Sequence, residues 1–307
     1  MKRFLDCSAS ELRDITKSQL LFALRASEGR IVVSETIGAT APLLNGITNA
    51  ELAASQGADI LLLNLLDAEQ PQIAGLPQGV AADDCLRELQ RLTGRVIGVN
   101  LEAVDPAYAS DNRELWGMTR GRAATAENAE KLWQMGARIL VLTGNPGNGI
   151  SNQALADALK QIRDAVGDRM VLVTGKMHGA GVVDESGRQL ITSRDIARFI
   201  DNGADIVLVP APGTVPGMSQ QRVSELIEEI QRRGALAMTA IGTSQEGADR
   251  ETIRQIALMS KMAGADLQHI GDTGWMGLAL PENIFTLSVA IRGVRHTYAR
   301  IARSINR

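Results

Sequence analysis

The chain has 307 residues, a net charge of −3 and a pI near 5.8, which argues against a protein that grips nucleic acid or a membrane surface by bulk positive charge. Hydrophobic residues make up 45% and charged residues 22%, enough for a large core and too apolar for wholesale disorder. Two cysteines, Cys7 and Cys85, are too few for a disulfide framework or a cysteine zinc site, and aromatics at 3% leave few platforms for stacking bases.

No apolar run approaches the ~18 residues of a membrane span. The N-terminus, Met1-Lys2-Arg3-Phe4-Leu5-Asp6, turns polar at once. A secretory signal is therefore not expected, and a reducing cytoplasm is the expected compartment.

In chain order, Ser8-Ala9-Ser10-Glu11 is a capping-box pattern that predicts a helix to about Ser27. A strand follows at Ile31–Glu35, then a short helix at Asn49–Gln56. Strand Ile60–Asn64 leads to helix Ala82–Leu92, and strand Val96–Asn100 to helix Ala126–Met135. Strand Ile139–Thr143 precedes helix Asn152–Val166, capped by Ser151. Strand Met170–Thr174 is followed by Val182–Ile191, which reads as a hairpin turning at Ser186-Gly187, and by helix Arg194–Asn202 with Ser193 as its cap. Strand Ile206–Val209 precedes helix Gln220–Arg233, and strand Leu236–Ile241 precedes helix Arg250–Ala263, capped by Asp249. Strand Leu267–Ile270 and helix Glu282–Ser304 end the chain.

One join recurs. Gly57-Ala58-Asp59-Ile60, Gly136-Ala137-Arg138-Ile139, Gly203-Ala204-Asp205-Ile206 and Gly264-Ala265-Asp266-Leu267 each close an amphipathic stretch on Gly and open a short apolar run. The runs are nearly continuous, as in parallel strands covered on both faces. Eight near-equal βα units predict an α/β fold, a single (β/α)8 TIM barrel over residues 30–307 with an N-terminal helical extension over 1–29. The extension would plug the bottom of the barrel. A doubly wound open sheet fits eight near-equal units less well.

In such a barrel the chemistry belongs to the loops after the strands. After the fifth strand, Gly175-Lys176-Met177-His178-Gly179 offers Lys176 as a Schiff-base nucleophile or general base, or as a charged holder of a carboxylate or phosphate. His178 offers acid/base chemistry or a metal ligand. Glu35 is the third candidate catalytic group, a carboxylate at the end of the first strand. Glu102 and Asp272 are the other strand-end acids, candidates for Mg²⁺ or Mn²⁺ binding or for an ion pair with Lys176 or a loop arginine.

Gly242, Thr243 and Ser244 after the seventh strand, with Gly271, Thr273 and Gly274 after the eighth, are the candidate phosphate site. Barrels often bind phosphate there, glycines letting the backbone N–H groups approach the anion and hydroxyls adding donors; the same glycines would also serve merely to turn the chain. Asn100, Asn145 and Arg120 are candidate substrate contacts. Asn145 belongs to a second Gly-rich turn, and Arg120 to a long loop from Val104 to Thr125 that also carries Tyr108, Arg113, Trp116 and Arg122 and would suit a lid over an anionic substrate. His269 reads as a hydrogen-bonded barrel-core histidine, and His296, among Arg292, Arg295 and Arg300, as part of a solvated basic face.

Gly242-Thr243-Ser244-Gln245-Glu246-Gly247-Ala248-Asp249, Ser260-Lys261-Met262-Ala263-Gly264-Ala265-Asp266 and Ile270-Gly271-Asp272 resemble a family of bacterial barrel proteins described as phosphoenolpyruvate-mutase-like. Asn202-Gly203-Ala204-Asp205-Ile206-Val207-Leu208-Val209-Pro210 is similar to a strand of the isocitrate lyase and phosphonomutase superfamily. The resemblance implies the barrel fold. It carries over no mechanism, because neither Cys7 nor Cys85 sits in a lyase-type catalytic loop and the superfamily's Asp-rich metal motif is not clear in this sequence.

The expected function is an enzyme acting on a small phosphorylated or carboxylated metabolite, of lyase, aldolase or isomerase type, with proton abstraction next to a carbonyl. The alternatives are a metal-assisted hydrolase and a non-catalytic metabolite-binding barrel. The expected partner is a small anionic metabolite, with neither nucleic acid nor membrane, and a homo-oligomer is open to the apolar positions of Glu282–Ser304.

Overall fold

The computed structural model describes residues 2–104, 118–144, 149–179, 186–274 and 276–307. Eight parallel strands close into a barrel in sequential order. They are β1 (Ile31–Ile37), β2 (Ile60–Asn64), β3 (Val96–Leu101), β4 (Ile139–Leu142), β5 (Val171–Gly175), β6 (Ile206–Pro210), β7 (Leu236–Ile241) and β8 (Leu267–Ile270). β8 returns to β1 with Val33 opposite His269. The TIM-barrel expectation is met, and each strand lies within two residues of its predicted ends.

The described helices are α1 (Ala9–Arg13), α2 (Lys17–Arg25), α3 (Asn49–Ser55), α4 (Cys85–Thr93), α5 (Ala126–Met135), α6 (Asn152–Val166), α7 (Ser193–Asp201), α8 (Gln220–Arg232), α9 (Arg250–Met262) and α10 (Pro281–Ala302). Among the described residues no helix is long and apolar enough to cross a membrane.

Alternation along the strands divides the core in two. One cluster lies between strands and helices. The other fills the barrel itself with Ile31, Val33, Ile60, Leu62, Val96 and Leu267 among others, and the extension joins it through Phe4, Leu12, Leu20 and Leu24. The extension thus closes the N-terminal end of the barrel. Lys17 Nζ sits 2.8 Å from Asp205 Oδ2 just below β6, and an Arg25 guanidinium N–H donates to the Gly234 carbonyl below β7 at 2.7 Å.

The recurring join has a physical task. Asp59 accepts the N–H of Val32, Asp205 that of Leu172 and Asp266 that of Ala237, at 2.8, 2.8 and 2.9 Å. In each case the carboxylate satisfies a backbone donor at the start of the neighbouring strand, which would otherwise be buried without a partner. The Gly at each of these joins has φ near +100°, which makes the tight helix-to-strand turn possible.

Four local expectations change. The single helix predicted to Ser27 is two helices, because Thr16 adopts extended geometry and caps α2 with Gln19 in a second capping box. Thr192, one residue before the expected Ser193, caps α7 with Asp195. The final helix is broken at Gly293, whose φ of 72° and ψ of 167° lie outside the helical region. Gly187–Gln189 forms a 3-10 turn in place of the expected hairpin, whose residues 182–185 lie outside the described set.

The basic face expected around His296 is also corrected. Arg292 and Arg300 are buried and both pair with Asp59, so only Arg295 of that group is exposed. These guanidiniums hold α10 to the barrel. Arg292 donates to the carbonyls of Gly57 and Arg30, and Arg300 to that of Phe4.

Candidate active site

The alternation that places Val33, Leu62, Val96 and Leu267 inside the barrel brings Glu35, Asn64, Asn100 and His269 to the top of that interior. Gly98, below Asn100, leaves room there, since a Cβ would stand 2.4 Å from Leu62 Cδ2. Two polar links result. His269 Nε2 lies 3.3 Å from Glu35 Oε2, and both side chains are almost fully buried. Asn100 donates to Asn64 Oδ1 at 3.1 Å, and Asn64 in turn donates to Asp272 Oδ2 at 2.9 Å.

Asp272 is further held by the Gly274 N–H, at 2.8 Å from Oδ1. Burial and the neighbouring Glu35 charge push its carboxyl up to about 6, although the bonds from Asn64 and Gly274 oppose the shift. Glu246, after β7, is 6% exposed and faces the same group of charges. Its carboxyl is also raised, mainly by burial and further by Asp272 and Glu35, against the pull of His269.

Lys176 and His178 enter from β5. Lys176 is 1% exposed, one of the largest fully buried side chains in the chain. Gly175 makes its placement possible: a Cβ there would lie 2.0 Å from the Leu208 carbonyl oxygen, so only glycine lets β5 approach β6 so closely. Burial pushes the His178 imidazole below its usual value, Glu35 opposes this, and Lys176 adds to it. The imidazole is therefore neutral at pH 7, and the three groups share one electrostatic neighbourhood.

The remaining expected site residues divide. Glu102 forms a buried ion pair with Arg122, the loop-arginine alternative for this acid. Arg120 is exposed and pairs with Glu69 at 3.1 Å and Glu127 at 3.5 Å. Asn145 lies outside the described residues, as do Tyr108, Arg113 and Trp116. Among the described residues no group of three or more His, Cys, Asp or Glu side chains is placed to hold a metal ion.

In the two Gly-rich loops, Thr243, Ser244 and Thr273 all have positive φ, 59°, 66° and 58°. Non-glycine residues seldom hold this conformation without a functional or structural reason. The Thr243 hydroxyl donates to the Thr214 carbonyl at 2.9 Å and the Thr273 hydroxyl to the Leu278 carbonyl at 2.8 Å, so these two hydroxyls tie loops together where anion donors were expected. Ser244 is exposed beside them.

His269 and Glu246 were not singled out as site residues from the sequence. For His269 the signal was present: two residues beyond Leu267, it shares the inward face. For Glu246 the strand-end rule marks its loop, Gly242 to Glu246, but without periodicity in a loop nothing says which of its side chains turns inward. A cavity of about 710 Å³ lies on the flank between Ala123–Thr125 and α6 and shares only Glu102 with the residues above.

Residues 5–307 match the family described as a domain of unknown function, DUF7916. No curated protein matches the chain in sequence. Among solved structures, an archaeal fructose 1,6-bisphosphate aldolase is similar with a TM-score of 0.56 at 14% identity, covering 90% of this chain and 98% of that one. A second structure of an archaeal aldolase, with its catalytic Lys covalently bound to the carbinolamine intermediate of the substrate, has the same score and identity over 90% of this chain and 100% of that one. A Burkholderia cenocepacia J2315 protein assigned provisionally as a lyase or mutase reaches 0.50 at 16% identity, over 87% and 84%. At these identities the likeness shows the fold.

Proposed function

The chain belongs to the DUF7916 family, and we propose that it is an enzyme of lyase, aldolase or isomerase type acting on a small phosphorylated or carboxylated metabolite. One observation carries this reading: a fully buried lysine at a strand end, whose charge and that of the buried Glu35 carboxylate are both felt by the His178 imidazole. A barrel needs none of these groups in its mouth for stability, and titratable groups gathered there are the usual mark of acid/base chemistry.

The reaction follows from the groups. The Lys176 amine, once deprotonated, attacks a substrate carbonyl carbon and forms a C–N bond while the carbonyl oxygen takes up a proton. Protonation of the carbinolamine hydroxyl and loss of water leave an iminium ion, whose positive nitrogen draws electrons from an adjacent C–H or C–C bond. Neutral His178 is suited to take the proton from that carbon or from the amine, and Glu35 to hold the imidazole charged once it has done so. A structurally similar aldolase carries such a carbinolamine on its own catalytic lysine. The backbone N–H groups around Thr243, Ser244 and Thr273 are suited to receive the anionic end of the substrate.

Borohydride reduction in the presence of small carbonyl compounds, followed by peptide mass spectrometry, tests the lysine chemistry. The expected result is an adduct on Lys176 that is absent in Lys176→Ala. Adducts only on surface lysines, in protein shown to bind the same compound, would remove the covalent step.

A further inference from the structure

We infer that the substrate's reacting end is a polyhydroxylated carbon chain, held through its hydroxyl groups by Asn100, Thr143, Glu246 and His269. The inference rests on the enzyme reading above and deepens it by naming what lies between the carbonyl and the anion.

Four buried polar atoms carry the argument. Among the described residues, Asn100 Oδ1, Thr143 Oγ1, Glu246 Oε2 and His269 Nδ1 have no hydrogen-bond partner, and their residues are 5%, 1%, 6% and 1% exposed. Buried polar groups are rarely left unpaired, since each then bears its desolvation cost with nothing to offset it. Asn100 and His269 stand on the interior face at the tops of β3 and β8, and Thr143 follows β4 on the same alternation. Glu246 faces His269 and Asp272 from the loop after β7, where Gly271 brings no side chain against its carboxyl. The unpaired atoms therefore ring the mouth that holds Lys176 and His178.

Their chemistry selects the ligand. An amide oxygen and a carboxyl oxygen accept hydrogen bonds, while a hydroxyl and an imidazole nitrogen either give or accept. Glu35 stands against His269, and Asp272 is linked through Asn64 to Asn100, so a bare carboxylate laid directly among these side chains would meet like charge. Neighbouring hydroxyls on a carbon chain satisfy both acceptors and donors without adding charge. A site built to bond such hydroxyls rejects an analogue that lacks one, because its own buried groups are then left unpaired.

The test compares binding of ribose 5-phosphate, 2-deoxyribose 5-phosphate, phosphoenolpyruvate, putrescine and inorganic phosphate by calorimetry, for the wild type, Asn100→Ala and Glu246→Gln. The expected pattern is tightest binding of the fully hydroxylated phosphate, at least tenfold loss for the deoxy compound, and at least tenfold loss in Asn100→Ala that the deoxy compound does not show. Tighter binding of phosphoenolpyruvate or putrescine, or equal binding of the hydroxylated and deoxy compounds, would overturn the inference. Circular dichroism of the variants separates misfolding from lost contacts, and the wild-type comparison stands without them. A keto acid that forms the Lys176 adduct while the polyols do not bind would sink this inference and leave the enzyme reading intact. Hydroxyl-selective binding with neither adduct nor turnover would do the reverse.

Discussion

Asp272 and Asp59 show how the same side chain takes opposite roles. Asp59 is fully buried, yet it has Arg292 and Arg300 beside it and the Val32 N–H on Oδ2. Replacing it by Ala leaves two buried guanidiniums without their counter-charge, an expected loss of about 3–5 kcal/mol in urea unfolding. Asp272 has no such cation among its named partners, and its carboxyl is pushed up to about 6. In the unfolded chain it titrates near the ordinary value of about 3.9. Between these values the native state holds more protons, so stability falls as pH rises through the window and stays lowered above it. Asp272→Asn should therefore match the wild type near pH 4 and exceed it at pH 8, by up to about 3 kcal/mol for a carboxyl raised to about 6. An equal difference in urea midpoint at both pH values would contradict this assignment.

Among the elements, β5 and its exit carry two of the proposed catalytic groups. Val171 and Val173 face the barrel interior, and Gly175 then lets the chain pass against β6 before Lys176 and His178. Gly175→Ala would force a Cβ to within 2.0 Å of the Leu208 oxygen, so the strand must move. The expected result is a stability loss of about 1–3 kcal/mol and a disproportionate loss of Lys176 adduct formation, checked by thermal melting beside the borohydride assay. Retained adduct yield in a destabilised protein would show that Lys176 is placed by something other than this close approach. The helix starts were legible because capping is local: Ser8, Ser151 and Asp249 accept the N3 amide as expected. Where the sequence offered adjacent hydroxyls, as at Thr192 and Ser193, propensity alone could not choose between them.

At the scale of the whole molecule, the extension belongs to the fold. Phe4, Leu5, Leu12, Ile15, Leu20 and Leu24 pack into the interior cluster. At about 1.5–3 kcal/mol for each large apolar side chain, their burial rivals the entire stability of a typical domain, about 5–15 kcal/mol. A chain lacking residues 1–29 is expected to lose its cooperative thermal transition and to bind hydrophobic dye. A sharp unfolding transition in that truncation would show that the barrel floor is closed without the extension.

By itself the sequence determined the barrel. Apolar runs, Gly-ended helices and near-even spacing are local signals; parallel strands of this kind are covered by helices on both faces, and eight near-equal units favour closure over an open doubly wound sheet. It also marked the mouth residues Glu35, Lys176, His178 and Asp272, because strand ends are recognisable along the chain. Tertiary structure alone decided which of them meet. The Glu35–His269 contact exists because β8 closes against β1, and Glu102 is matched to Arg122 by a loop return that no periodicity announces. The raised Asp272 and Glu246 carboxyls and the unpaired atoms around them depend on burial and on neighbours distant in sequence. Such neighbours are fixed by strand register and closure, which the order of residues does not reveal until the barrel is formed.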